Sequence, residues 1–120
     1  MIVAGFGFRA SATEDSLRDA LALTSVAKVD AIATPTDKAQ SNALHAFAKA
    51  RNLPVLEVDA SAMQAVETPT ESATVREKRG TGSVAEACAL GALNNAKLTT
   101  PRVVSADRLA TCAIAQGEPL

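Results

Sequence analysis

The sequence predicts an α/β fold, a three-layer α/β/α sandwich with a mostly parallel sheet and a C-terminal antiparallel hairpin. Three observations carry that expectation. Short apolar segments alternate with stretches of helical spacing over residues 2–58. Hydrophobic residues make up 48% of the chain but aromatics only 2%, and the alanine-rich remainder suits close packing of helices on a sheet. Near the C-terminus two β-prone segments flank a short polar turn. A single domain, residues 1–120, can bury roughly two thirds of its unfolded surface and needs neither disulfide nor metal to support its core.

The first expected strand is Ile2–Phe8, IVAGFGF. Residues 14–27 follow with Leu17, Ala20, Leu21 and Thr24 on one helical face and Glu14, Asp15, Arg18, Asp19 and Ser25 elsewhere. Ser11 or Thr13 can cap this helix, Ser11 with Glu14 at capping-box spacing. Residues 30–34, DAIAT, read as a second strand. Residues 37–51 read as a helix burying Ala43, Leu44, Phe47 and Ala48, ended by Asn52-Leu53-Pro54. Val55–Val58 is the third strand. Strand, helix, strand, helix, strand with short links implies right-handed crossovers and a parallel sheet.

From Asp59 the pattern changes. A short helix at 61–66 leads into ETPTESATVREKRGTG, the least apolar part of the chain, where one or two helical turns at 71–78 stop at Gly80. This stretch is expected to be mobile and placed to act as a lid. Residues 83–93 read as a helix, 102–105 and 109–115 as the hairpin, and 116–120 as a frayed tail.

Net charge is −1, with acids and bases interspersed, so no field draws nucleic acid or an anionic membrane. No apolar stretch approaches the ~20 residues of a spanning helix, and MIVAGFGF lacks the basic region of a signal peptide. A cytoplasmic protein is expected. Cys88 and Cys112 read as buried free thiols, and with one histidine no protein-built zinc site is expected.

In a parallel α/β sheet, ligands bind beyond the carboxyl ends of the strands. GFGFRA there matches the dinucleotide fingerprint only superficially: its helix does not start within the glycines, and Thr34 rather than an acid ends the second strand. Gly5 and Gly7 instead allow a close approach to the strand, or relieve packing under a helix. Arg9 is open to two readings, a solvated loop arginine or a fork for carboxylate or phosphate with Lys38 as a second cation. Asp37 is either an acid favoured in a helical first turn or a carboxylate that titrates or orients a ligand. His45 reads as a surface histidine. In KRGTGSVAEACAL, residues 78–90, Ser83 and Glu86 have capping-box spacing, which leaves Gly80 and Gly82 unexplained; no G-K-[ST] follows, so this is no Walker loop.

GFGFR, ATPTDKAQ and GTGSVAEACAL occur in the order found in the CobE / CbiG C-terminal domain family of cobalamin (vitamin B12) biosynthesis, which the chain resembles from Ile2 to about Ala115. CobE is the stand-alone protein of the aerobic route; CbiG, the cobalt-precorrin-5A hydrolase of the anaerobic route, carries the similar domain at its C-terminus. The resemblance implies a ligand site at Gly5, Gly7, Arg9, Thr34, Asp37, Lys38, Gly80, Thr81, Gly82, Ser83 and Glu86; no cofactor and no metal are expected. Family members often have a cysteine where Phe8 stands, so a thiol role there does not carry over. The CbiG regions before this domain are absent, so its lactone-opening activity does not simply transfer.

Precorrins are apolar-faced macrocycles edged with carboxylates, and Arg9, Lys38 and the 80–83 loop form a matching set of cations and N–H donors. The leading expectation is a protein that binds, or helps process, a precorrin or corrinoid intermediate. The alternatives are an enzyme with Asp37 or Glu86 as general acid or base, and an interaction module that passes intermediates between pathway methyltransferases.

Overall fold

The computed structural model describes residues 1–120. Five strands, β1 (Ile2–Phe8), β2 (Ala31–Pro35), β3 (Val55–Val58), β4 (Leu93–Val104) and β5 (Ala110–Pro119), form one sheet in the order β3-β2-β1-β5-β4. β1, β2 and β3 run parallel, with Val3 opposite Ala31 and Ile32 opposite Val55. β5 lies antiparallel to β1 and β4 antiparallel to β5. The expected mixed sheet is therefore present, and β1 is the strand at which its connections change side.

The helices are α1 (Glu14–Leu23), α2 (Asn42–Arg51), α3 (Ala60–Gln64), α4 (Ala73–Arg79) and α5 (Val84–Gly91). Strand alternation divides the core in two. Ala4, Phe6, Ile32, Cys112 and Ile114 pack with Leu17, Leu21, Leu44 and Phe47 of α1 and α2. Val3, Ala31 and Ala33 face the other way, onto Met63 of α3 and Ala87 and Cys88 of α5. Phe6 meets Phe47 edge-on with ring centroids 5.4 Å apart. None of the helices is long and apolar enough to cross a membrane.

Several boundaries differ from those read in the sequence. Thr13, not Ser11, caps α1, with Ser16 completing the capping box. The helix stops at Leu23 rather than residue 27, because Thr24 hydrogen-bonds back to the Leu21 carbonyl and Ser25 turns to positive φ. Residues 36–38 form a 3-10 turn, and α2 starts only at Asn42, where Ser41 supplies the cap. β4 begins at Leu93 instead of residue 102, and Gln116 to Pro119 belong to β5. The tail expected to fray is held by pairing of Gln116 with Lys97 and of Glu118 with Asn94. β4 lacked a strand signature because it is an edge strand with three register shifts and carries Pro101, which an edge tolerates.

Gly5 lies in the centre of this architecture, on the β1 face covered by α5. A Cβ there would sit 2.2 Å from the Ala85 carbonyl oxygen and 2.5 Å from the Ala89 nitrogen. Both are backbone atoms of one helix, so the clash cannot be relieved by a rotamer change. At Gly7 the nearest atoms are side-chain ones, Thr111 Oγ1 at 2.9 Å and Val84 Cβ at 3.1 Å. Gly5→Ala is therefore expected to destabilise the protein by about 3 kcal/mol, the upper end for overpacking, and Gly7→Ala by less. Urea unfolding of both variants measures this; a Gly5→Ala loss within the ~0.5 kcal/mol of an ordinary surface change would refute it.

Candidate functional site

The parallel strands and β4 all end at one edge of the sheet, and the turn into β5 lies beside them. There the fold forms a cleft of about 610 Å³. Gly7, Phe8 and Arg9 border it from β1, Pro35 and Lys38 from the end of β2, and Arg102 and Val104 from β4. The 105–109 turn contributes Arg108 and Leu109, α4 contributes Ser72 just before it and Thr74, Val75, Lys78 and Arg79 within it, and Val84 opens α5.

Six of the lining side chains are cations: Arg9, Lys38, Lys78, Arg79, Arg102 and Arg108. None is acidic. In a chain of net charge −1 this is a concentrated positive field. Only Arg79 has a carboxylate partner within salt-bridge distance; the other salt-bridged bases, Arg18 and Arg76, lie outside the cleft.

The backbone explains how cations from distant parts of the chain converge. The Arg9 amide donates to the Leu109 carbonyl, tying the end of β1 to the hairpin turn. Asp107 shapes that turn by accepting from Ser105 Oγ and the Leu109 amide, and its second oxygen accepts from Ser16 Oγ of α1 at 2.6 Å. Those hydroxyl hydrogen bonds, from Ser105 first and then Ser16, hold the Asp107 carboxyl below the usual aspartate range. Arg108, at φ 63°, follows and projects at the cleft. Lys38 Nζ stands 5.5 Å from the centre of the Phe8 ring.

Glu86 fixes Arg102. Its side chain is fully buried, one carboxylate oxygen accepting from the Thr70 amide at 2.9 Å and the other from Thr70 Oγ1 at 2.8 Å and the Arg102 amide at 2.9 Å. This corrects the capping-box reading. Ser83 Oγ does accept from the Glu86 amide, but the Glu86 side chain crosses to Thr70 and β4 instead of turning back to Ser83.

The 80–83 segment is likewise not an open cradle for anions. Thr81, Gly82 and Ser83 are buried, and a Cβ at Gly82 would lie 2.5 Å from the Thr70 carbonyl oxygen. The Ser72 amide donates to the Gly82 carbonyl, so residues 68–72 lie across the loop as a strap. Gly80 ends α4 at φ 72°, the left-handed position that favours glycine. Thr34 is buried in β2, and the hydroxyls of Thr34 and Thr81 have no hydrogen-bond partner. Of the eleven positions implied by the resemblance, Gly7, Arg9 and Lys38 border the cleft. Asp37 stands beside it, joined to Arg79, whereas Gly5, Thr34, Gly80, Thr81, Gly82, Ser83 and Glu86 lie outside its lining.

Arg102, Arg108, Lys78 and Arg79 were not singled out from the sequence as ligand contacts. The last two fell within the polar stretch expected to act as a mobile lid, and α4 forms a wall of the cleft. Arg79 binds Asp37 through its two terminal guanidinium nitrogens, Nη1 and Nη2, at 2.7 and 3.0 Å. That hydrogen-bonded guanidinium holds the Asp37 carboxyl below the usual aspartate range, against a smaller opposing effect of burial. Cys88 and Cys112 are buried; burial pushes the Cys88 thiol up to about 12 and the Cys112 thiol up as well. No cluster of three or more His, Cys, Asp or Glu side chains is placed to hold a metal ion.

The fold and the site together define an α/β/α sandwich with a cation-lined cleft at the carboxyl ends of its parallel strands. The family model described as cobalamin synthesis G C-terminus matches residues 2–115, and the chain belongs to that family. Its fold superposes with a TM-score of 0.86 on CobE, a protein from the cobalamin (vitamin B12) biosynthetic pathway, at 25% identity over 100% of this chain and 92% of that one. It superposes with a TM-score of 0.73 on the cobalamin biosynthesis protein chiG from Agrobacterium tumefaciens str. C58, at 33% identity over 98% of both chains. No curated protein sequence matches the chain. Family membership and these likenesses support involvement in cobalamin biosynthesis.

Glu86→Gln is expected to cost about 1–3 kcal/mol, because either amide orientation sets a donor against a backbone N–H that now has an acceptor. Chemical denaturation measures the loss, and amide exchange at Thr70 and Arg102 should speed up in step; unchanged stability would show that the carboxylate is not held as described. The thiols offer a separate check. An aromatic disulfide reagent at neutral pH should leave both cysteines unmodified in the folded protein and titrate two per chain after unfolding. Fast reaction in the native state would contradict their burial.

Proposed function

We propose that the chain binds a precorrin or related corrinoid intermediate of cobalamin biosynthesis through the carboxylates on the rim of the macrocycle. The observation that carries this reading is the cleft lined by six cations and no acid. Guanidinium groups suit this task, since each can take a carboxylate with two parallel hydrogen bonds. Phe8, Pro35, Val75, Val84, Val104 and Leu109 supply apolar surface between the charges, suited to the face of a macrocycle. The lining side chains are cations, hydroxyls and apolar groups, a set suited to holding an anionic ligand.

Of the two carboxylates considered for acid–base chemistry, Glu86 is committed to Thr70 and Arg102. In the free protein Arg79 holds the Asp37 carboxyl below the usual aspartate range, away from that suited to proton transfer near neutral pH. Binding is therefore favoured over proton transfer as the role of this site.

Titrating the protein with hydrogenobyrinate and following the visible spectrum tests the proposal. Wild type should shift the spectrum saturably, and Arg9→Ala and Arg102→Ala should each weaken binding about tenfold, as loss of a hydrogen bond to a charged group does. Lys97→Ala, at the far end of β4, should bind as wild type does, and added salt should weaken every variant. No spectral shift with wild type, or equal loss in Lys97→Ala, would overturn the assignment.

A further inference from the structure

Arg79 differs from the other five cations in the cleft, because it already holds a carboxylate. Its guanidinium donates Nη1 to Asp37 Oδ1 at 2.7 Å and Nη2 to Asp37 Oδ2 at 3.0 Å, the fork-on-fork geometry in which arginine takes a carboxylate from any source. Asp37 does not line the cleft; it reaches Arg79 from the 3-10 turn at Thr36–Lys38. Its carboxylate accepts no hydrogen bond from any other side chain, and the side chain is 63% exposed. It can swing into solvent without breaking any other side-chain hydrogen bond. Arg79 is only 29% exposed and ends α4, a helix with no buried residue of its own.

We propose that Arg79 is a carboxylate subsite of the cleft which Asp37 occupies in the free protein, and that a carboxylate of the bound ligand displaces Asp37. This deepens the reading of the cleft as a polycarboxylate site and rests on it. The exchange makes Asp37 a specificity-determining residue. A lone carboxylate in solution competes poorly with one attached to the same chain, whose effective concentration is high. A ligand already anchored on Arg9, Arg102 and Lys38 presents its next carboxylate with the same advantage. Asp37 would thus exclude simple anions while admitting a ligand with several carboxylates.

The test is a double-mutant cycle, with uroporphyrin, a fluorescent macrocycle rimmed with acetates and propionates, as the titrant. Asp37→Asn should bind it about two- to fivefold more tightly than wild type, the range expected from releasing an exposed ion pair. Arg79→Gln should bind it more weakly, and adding Asp37→Asn to Arg79→Gln should change nothing further. Asp37→Ser, which removes the carboxylate with a different side chain, should reproduce Asp37→Asn. Acetate should compete with uroporphyrin at lower concentration in Asp37→Asn than in wild type. Asp37→Asn binding no more tightly, or tightening equally with Arg79→Gln present, would overturn the proposal while leaving the cleft reading intact. Failure of every variant, wild type included, to bind uroporphyrin would overturn both.

Discussion

The carboxylate of Glu86 is the junction on which the cleft depends. It is buried on the first turn of α5, where three donors from two other parts of the chain converge on it. A buried carboxylate without partners would be driven to neutralise or to unfold its surroundings, so the strap at Thr70 and the β4 backbone at Arg102 must stay where the structure puts them. Each then positions something else. The strap covers the loop before α5 and leads into α4, and the fixed amide of Arg102 sets where its side chain enters the cleft. Gly5 makes the arrangement possible from below, because only a residue without Cβ lets α5 rest its backbone on β1.

The cleft also shows how a nearly neutral protein builds a strongly positive site. Acids are not lacking nearby; they are turned outward or spent on structure. Asp107 holds the hairpin turn, Asp19 accepts from the Ala106 amide, and Glu71 pairs with Arg76 of α4. Asp107 and Asp19 hold the turn that presents Arg108, and none of the three acids lines the cavity. Charge pattern in space therefore differs from charge pattern along the chain, where acids and bases alternate.

How much of this was legible in the sequence depends on how local the deciding forces are. β1, β2 and β3 and the apolar faces of α1 and α2 could be read because periodicity and burial coincide there. Boundaries moved where two caps compete, as Ser11 and Thr13 do, or where a 3-10 turn precedes the true cap at Ser41. β4 stayed hidden because Asn94, Asn95, Thr99, Thr100 and Pro101 carry no alternating pattern, and its identity comes from pairing with β5. Glu86 has the spacing of a capping box, and only the fold reveals that better donors lie across the core. Arg9 and Lys38 were legible because they follow strands; Arg102 and Arg108 were not, since nothing local distinguishes them from solvated arginines.

β4 has a further consequence that reaches beyond the cleft. A sheet margin of this length would ordinarily offer its free peptide groups to any extended chain, and such margins seed aggregation. Here the margin is interrupted three times, with a left-handed Asn95, and Pro101 removes one donor altogether. An incoming strand would find no unbroken row of partners along it. The strand that carries Arg102 and Val104 to the cleft is thus also poorly suited to recruiting unwanted neighbours, and the irregularity that concealed it in the sequence protects it in solution.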